Sequence, residues 1–386
     1  MARHTMYRIG GPARFYVQVH SVGALKRLIA VCDASAVPWE AIGRGSNLLV
    51  ADEGYSGVVI TLGRDFRTCR YDEDTHCFCV GAGVPLSSVV QEAFRRSLAG
   101  FEFAVGTPGT VGGALRMNAG SREEWIGSRV VSVTTLSPET GLVRRDGDKI
   151  GWGYRTSSFR PDEVIVECEL SVEPADPFFI RGKMEASHAR RKKSQPLSLP
   201  SCGSVFRNPE GASVGALIEE AGLKGLAVGG AQVSDVHANF IVNTGDATAR
   251  DVLELINLVK QRCTKRMASN YNRKSASSGS RKATSRRASA SGSAGRAPRP
   301  AGAGDARLPG GACRAPPRRV RRRTGPTASY PAVSCRIGVR VKAVRRSRRC
   351  AWATSIASSA RRAPRKPIVA TSCASASSRR WCSPSW

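Results

Sequence analysis

The stretch GTPGTVGGALRMNAG at 106–120 holds five glycines and a proline in fifteen residues, with Thr107, Thr110 and Asn118 interspersed. Where Cβ atoms are missing, backbone can come within touching distance of a ligand. A second such stretch, GRGSNLLV at 43–50, sets Gly43 and Gly45 beside Ser46 and Asn47. Bare N–H groups in such a turn can meet a phosphate. The 43–50 stretch alone could be an ordinary tight turn and the 106–120 stretch is harder to dismiss; two such loops in one domain point to one large, phosphate-bearing cofactor. The segment that follows Asn47, LLVADEGYSGVVITL, reads as strand rather than helix. A dinucleotide fingerprint of the strand-turn-helix kind is therefore rejected.

Two further segments carry reactive side chains. GWGYRTSSF at 151–159 puts Tyr154 and Arg155 next to three hydroxyls, and an arginine there can grip a carboxylate through two parallel N–H groups. Taken alone, it reads first as a surface arginine. LPSCGSVFRNP at 199–209 places Ser204 after Gly203 and Asn208 before Pro209, with no GxSxG around the serine. His4, His76, His188 and His237 show no triad spacing, so a hydrolase nucleophile is unsupported. The basic run 190–193 reads as a solvated helix end or a phosphate-binding patch. The cysteines contain no CxxC, which fits free thiols in a reducing compartment and no zinc site.

The elements that must position these residues follow from apolar spacing. Apolar side chains recur three and four apart over 22–32, 86–98, 214–220 and 249–259, which predicts core-facing helices. β-Branched or apolar runs at 14–19, 48–51, 58–62, 130–136, 164–170 and 240–243 predict strands. The expected class is α/β (α+β), and no repeat of fixed period is present.

Charge divides the chain in two. The whole carries a net +30, which by itself suggests a nucleic-acid partner. Residues 1–263, however, hold 30 basic and 29 acidic side chains, a net +1, whereas 264–386 hold 30 and 1, a net +29. The second part is mostly Arg, Ala, Ser, Pro and Gly, with Asp305 its only acid. It cannot bury enough apolar surface to offset its ordering entropy, so a disordered basic tail is expected. Such a tail would bind nucleic acid non-specifically and in a salt-sensitive way. No apolar run reaches membrane-spanning length and the first residues lack a signal peptide's apolar stretch, so a cytoplasmic protein without a membrane partner is expected.

Six segments, in order, closely resemble the UDP-N-acetylenolpyruvoylglucosamine reductase family: HTMYRIGGPARF at 4–15, GRGSNLLV at 43–50, GTPGTVGGALRMNAG at 106–120, YRTSSF at 154–159, GSVFRNP at 203–209, and AGLKG with HANFIVN at 221–225 and 237–243. YRTSSF without a nearby insertion resembles the shorter subtype. The resemblance implies a two-part FAD-binding region of the vanillyl-alcohol-oxidase type, at 1–65 and 66–176, then a substrate-binding α+β domain at 177–263 and the tail at 264–386. It implies FAD and NADPH as cofactors, a UDP-sugar as substrate, no specific nucleic-acid partner, and a monomer. FAD would lie against Gly43, Arg44, Gly45, Ser46, Asn47 and Leu48. On the second loop it would meet Gly106, Thr107, Pro108, Gly109 and Thr110, then Gly112, Gly113, Ala114 and Asn118. Arg155 matches the family's arginine that stabilises the substrate carboxylate, and Ser204 its proton-donating serine. Tyr154 and Asn208 match substrate-lining positions, and Gln195 with the 190–193 run would approach the substrate diphosphate. The competing classes are a basic-tailed nucleic-acid-binding protein and another FAD oxidoreductase of the same fold.

The family also carries a glutamate near its C-terminus, in a Pro-Glu-Val-Arg pattern that this sequence lacks. The genetic code points to a frameshift near codon 262. Read across codon junctions, Met267 with Ala268 forces glycine, Asn270 with Tyr271 forces leucine, and Tyr271 with Asn272 gives glutamine or stop; the junctions from Asn272 to Gly279 permit Pro, Glu, Val or Ile, Arg, two hydrophobics and Gly. The missing ending is thus compatible with the neighbouring frame. A chain made as written is expected to keep FAD binding and to turn over poorly.

Overall fold

The computed structural model describes residues 1–121, 123–209 and 211–279, with side-chain surroundings to residue 266. The expectation of a disordered tail falls, from residue 280 on, outside the described residues.

The first layer comprises β1 (Ala13–Val19), α1 (Val22–Ala34), β2 (Trp39–Ala41) and β3 (Tyr55–Leu62), a parallel sheet in the order β1-β3-β2. β3 is the central strand, and its Val58, Val59 and Ile60 are all buried, as a parallel strand covered on both faces requires. α1 starts where the Ser21 hydroxyl accepts from the Ala24 N–H at 3.2 Å. Leu25, Ile29 and Cys32 form its buried stripe.

The second layer is built from β4 (Cys69–Asp72), β5 (Cys77–Gly81), α2 (Leu86–Arg95), β6 (Leu98–Ala99), α3 (Val111–Arg116), β7 (Val130–Ser137), β8 (Gly141–Asp146), β9 (Trp152–Gly153), β10 (Thr156–Ser157) and β11 (Val164–Ser171). Five of its strands form an antiparallel sheet, β4-β5-β11-β7-β8. α2 buries Leu86, Val89, Val90 and Ala93 in one core with Phe78, Val80, Cys168 and Leu170 from the sheet. β12 (Glu173–Pro174) pairs with β6, and α4 (Pro177–Ser194) follows. The Asp176 carboxylate accepts from the N–H groups of Phe178 and Phe179 at 2.7 and 3.1 Å, and Pro177 fills the first helical position.

The third part contains α5 (Val214–Glu220), β13 (Ala227–Val228), β14 (Ala231–Val233), β15 (Ile241–Asn243) and α6 (Ala249–Gly279). Its antiparallel sheet and α6 share a core around Ile218, Val233, Ile241, Val252 and Leu255. Tyr7, Ile9 and Leu49, from the start of the chain, are buried in that same core, and Asn243 donates to the Tyr7 carbonyl at 3.0 Å. The start of α6 is also held from far away. Asp52 accepts from the N–H groups of Ala249 and Arg250 at 2.7 and 3.1 Å, while Thr248 and Asp251 exchange reciprocal capping bonds. α6 passes through residue 263, where the composition changes, and reaches Gly279.

Three expectations need correction. Residues 48–51 form no strand; they are apolar because Leu49 enters the third core. The helix expected over 86–98 stops at Arg95, and Leu98 joins β6. The glycine stretch at 106–120 contains α3, begun by Thr110, whose hydroxyl accepts from the Gly113 N–H at 3.3 Å. No helix among the described residues is long and apolar enough to cross a membrane.

Candidate active site

The two glycine loops meet. The Ser46 hydroxyl donates to the Pro108 carbonyl at 3.4 Å, and the Asn47 amide reaches the Met117 sulfur at 3.4 Å. A Cβ on Gly43 would stand 2.5 Å from Thr110 Oγ1, and one on Gly45, at φ +63°, would stand 2.3 Å from the His4 carbonyl oxygen. Those two glycines are thus required by the protein's own packing. Gly113 differs, because a Cβ there would meet nothing nearer than Thr110 Oγ1 at 3.6 Å. Gly43, Gly106 and Gly113 are exposed along this seam, and the first turn of α3 opens onto it. An exposed run of bare backbone at a capped helix start suits a phosphate-bearing group, so the residues present fit a dinucleotide such as FAD. Arg44 is exposed beside the seam, Leu48 and Gly112 are half-buried, and Ala114 is buried.

Asn118 occupies a different place from the loop residues around it. It is 5% exposed; its amide donates to the Gly153 carbonyl at 3.0 Å and its oxygen accepts from the Gly127 N–H at 3.0 Å. The side chain fixes the start of the next segment from below.

That segment is a hairpin. Gly153 pairs with Thr156 across β9 and β10, so Tyr154 and Arg155 form its two-residue tip. Arg155 sits at φ +56°, a left-handed conformation that costs a non-glycine residue about 1–2 kcal/mol. Local bonds hold the tip's base: Ser157 donates to the Arg116 carbonyl at 2.8 Å, and the Arg116 guanidinium donates to the carbonyls of Phe159, Arg160 and Glu163.

The segment 203–209 closes onto this hairpin. Arg207 donates to the Arg155 carbonyl at 2.9 Å, and the Asn208 amide to the Tyr154 hydroxyl at 3.4 Å. Asn208 also accepts from the Val214 N–H at 3.0 Å, tying the contact to the start of α5. The half-open cavity there, about 530 Å³, is walled by Asn118, Trp125, Trp152, Tyr154, Arg155 and Asn208 among others. Ser204 is exposed and lines a separate, smaller cavity with Asn47, Tyr7 and Cys202. Ser204 therefore does not line the cavity that Arg155 walls; the chain from 204 to 208 joins the two places.

Sequence reasoning assigned no role to several residues at this site. Asn239, inside HANFIVN, accepts from the Phe206 N–H and donates to the Phe206 carbonyl, both at 2.8 Å, and so holds the Ser204 segment straight. Trp125 and Trp152 wall the cavity without any sequence signal. Of the run 190–193, only Arg191 turns inward: it donates to Thr107 Oγ1 at 3.3 Å, beside the glycine loop at 106–113.

His237 lies beneath this region. Its Nδ1 accepts from the Asn239 N–H at 3.1 Å. Burial lowers its pKa; the Lys224 charge adds to this, while a backbone hydrogen bond and Glu219 oppose it. Among the described residues no cluster of His, Cys, Asp or Glu could hold a metal.

Known proteins share this plan. The FAD binding domain family matches residues 13–146, and the family of the UDP-N-acetylenolpyruvoylglucosamine reductase C-terminal domain matches 195–270. Fold and site thus define an FAD-dependent oxidoreductase. A UDP-N-acetylenolpyruvoylglucosamine reductase from Heliobacterium modesticaldum is 44% identical over 264 residues, covering 68% of this chain and 83% of the relative. One from Halalkalibacterium halodurans is 41% identical, covering 70% and 89%. The crystal structure of the Thermus caldophilus UDP-N-acetylenolpyruvylglucosamine reductase matches with a TM-score of 0.61 at 39% identity, over 67% of this chain and 92% of that one. The chain belongs to the UDP-N-acetylenolpyruvoylglucosamine reductase family.

Proposed function

We propose that this chain reduces the enolpyruvyl group of UDP-N-acetylenolpyruvoylglucosamine to the lactyl ether of UDP-N-acetylmuramate, in peptidoglycan precursor synthesis, at the expense of NADPH. The observation that carries this reading is the closure of Arg207 and Asn208 onto the Tyr154–Arg155 tip beside the two glycine loops. Bound FAD supplies hydride transfer from NADPH to the methylene carbon of the substrate.

The chain's own residues do the rest. Gly43–Asn47 and the Gly106–Gly113 stretch hold the dinucleotide through backbone N–H groups. Arg155, raised on a strained tip, faces the cavity and binds the substrate carboxylate. Its charge offsets the negative charge that develops there as the methylene carbon is reduced. Ser204 delivers a proton to the carbon bearing the carboxylate; a hydroxyl is a weak acid, and it acts because that carbon is far more basic in the transition state. Tyr154 and Asn208, joined by their hydrogen bond, wall the sugar-nucleotide side. The three structural divisions proposed are 1–65, 66–176 and 177–263, in a cytoplasmic monomer.

Turnover by the 386-residue chain as written is expected to be severely reduced, because no Pro-Glu-Val-Arg segment is present to supply the family's third catalytic group. The test is to purify the full chain, record its flavin absorbance, and follow NADPH oxidation with and without the enolpyruvyl substrate. Absence of flavin from the folded protein would overturn the reading. Substrate-dependent oxidation that appears only once the Glu-Val-Arg frame is restored would support every part of it.

A further inference from the structure

α3 runs from the seam of the two glycine loops to the hairpin that carries Arg155, and it is only six residues long. Its far end grips both arms of that hairpin. On the arm leading to the tip, the Asn118 amide donates to the Gly153 carbonyl at 3.0 Å. On the arm leaving it, the Ser157 hydroxyl donates to the Arg116 carbonyl at 2.8 Å, and Ser157 lies two residues beyond Arg155. The Arg116 side chain continues along the same arm. Its Nη1 donates to the carbonyls of Phe159 and Arg160 at 3.4 and 2.8 Å, and its Nη2 to the carbonyl of Glu163. Three carbonyls converging on one point make a site for a cation, and the chain fills it with its own guanidinium. The turn that presents them is closed in its own right, because the Glu163 carboxylate accepts from the Arg160 N–H at 2.7 Å and from Arg145 at 2.9 Å.

Arg155 needs such an anchor. A non-glycine residue at φ +56° keeps that conformation only where its surroundings over-determine it. The hairpin cannot do so alone, because β9 and β10 share just two residue pairs and a ribbon that short is unstable by itself. At the tip, Arg207 holds the Arg155 carbonyl and Asn208 the Tyr154 hydroxyl, but both come from the third part of the chain. The hold from the cofactor side is the end of α3. Arg116 does not line the cavity that Tyr154 and Arg155 wall, so its influence on a ligand there passes through the hairpin.

We infer that Arg116 is a positioning residue for Arg155: together with Asn118 it locks the hairpin to α3 and so fixes the carboxylate-binding arginine at a set place relative to the cofactor loop. This rests on the function proposed above and deepens it. One arginine meets the substrate, and a second, out of reach of it, determines where the first one stands.

Equilibrium binding to the FAD-loaded full chain, without NADPH, reads this positioning apart from turnover. Calorimetric titrations use UDP-N-acetylenolpyruvoylglucosamine, which carries the carboxylate, and UDP-N-acetylglucosamine, which does not. Arg116→Met is expected to weaken the first about tenfold and to leave the second within about twofold. Arg116→Lys keeps the charge but offers no planar fork for the carbonyls, and should lose nearly as much. The deciding variant combines Arg116→Met with Arg155→Met. If Arg116 acts through Arg155, its replacement weakens the carboxylate ligand no further once Arg155 is gone. An undiminished loss in that background, equal losses for both ligands, or no loss for either would make Arg116 part of the general framework and overturn the inference. Full recovery in Arg116→Lys would assign the effect to charge alone and overturn it as well. Should Arg116→Met fail to fold or lose FAD, Ser157→Ala removes one bond of the same grip and must still weaken the carboxylate ligand selectively, or the inference falls. A wild type that does not favour the carboxylate ligand would instead sink the functional reading itself.

Discussion

The Asp52 carboxylate accepts from the Ala249 N–H at 2.7 Å, across 197 residues of sequence. A helix that carries much of the third core therefore takes its cap from the loop that follows the first glycine stretch. Asp52→Ala leaves two N–H groups of the first turn without this partner and is expected to cost about 1–2 kcal/mol. Asp52→Asn should lose less. Urea midpoints of the two variants and the wild type check both figures.

Arg155 couples function to strain. Replacing it with glycine, which adopts φ +56° without penalty, is expected to leave the fold unharmed or to stabilise it by about 1 kcal/mol. In a chain carrying the restored Glu-Val-Arg ending, the same change should lower turnover by on the order of a hundred- to a thousandfold. Thermal melts and NADPH oxidation rates on one preparation would show opposite signs for stability and activity. Loss of both together would mean that the arginine is structural.

Gly43 tests the seam between the loops. Gly43→Ala drives a methyl group to within 2.5 Å of Thr110 Oγ1, which must displace the cap of α3. A destabilisation of about 1–3 kcal/mol is expected, together with weaker FAD retention on gel filtration. Gly113→Ala meets only open contact at 3.6 Å, so its effect should appear in FAD retention and hardly at all in the melting temperature.

His237 gives a pH signature. Burial is the largest cause of its lowered pKa, so the imidazole is neutral in the fold and takes up a proton more readily in the unfolded chain. Its contribution to stability is complete above the unfolded pKa of about 6.5 and is lost as pH falls from there through the folded value. His237→Asn should flatten the stability profile below about pH 6.5. Urea midpoints taken on both sides of that pH would show it, and an unchanged acid slope would refute it.

How much of this could be read beforehand depended on whether a residue's role was local. α1 and α5 were legible because their apolar spacing serves one core each. Residues 48–51 misled for the opposite reason: their apolar character serves burial in a distant core, not strand pairing. α3 was masked by Gly112 and Gly113, although Thr110 carried a cap signal. α4 has hardly any apolar stripe, so apolar spacing misses it; Asp176 followed by Pro177 is the signal that could have found its start. Tyr154, Arg155 and Asn208 came from a resemblance, and the structure brings them together. Arg191 could not be picked from four adjacent cations, because only the turn at Gly106 distinguishes it, and that contact spans more than eighty residues.

The bond from Asn243 to the Tyr7 carbonyl closes a loop of 236 residues. On a ribosome adding about 5–20 residues per second, Tyr7 and Ile9 emerge on the order of tens of seconds before their core exists. During that interval the apolar segment has early-made partners such as Leu49 but lacks those that the third part of the chain supplies. The first-made residues can thus complete their burial only after the third part of the chain has been synthesised, and a chaperone that holds that segment meanwhile should raise the fraction of new molecules that reach the active form.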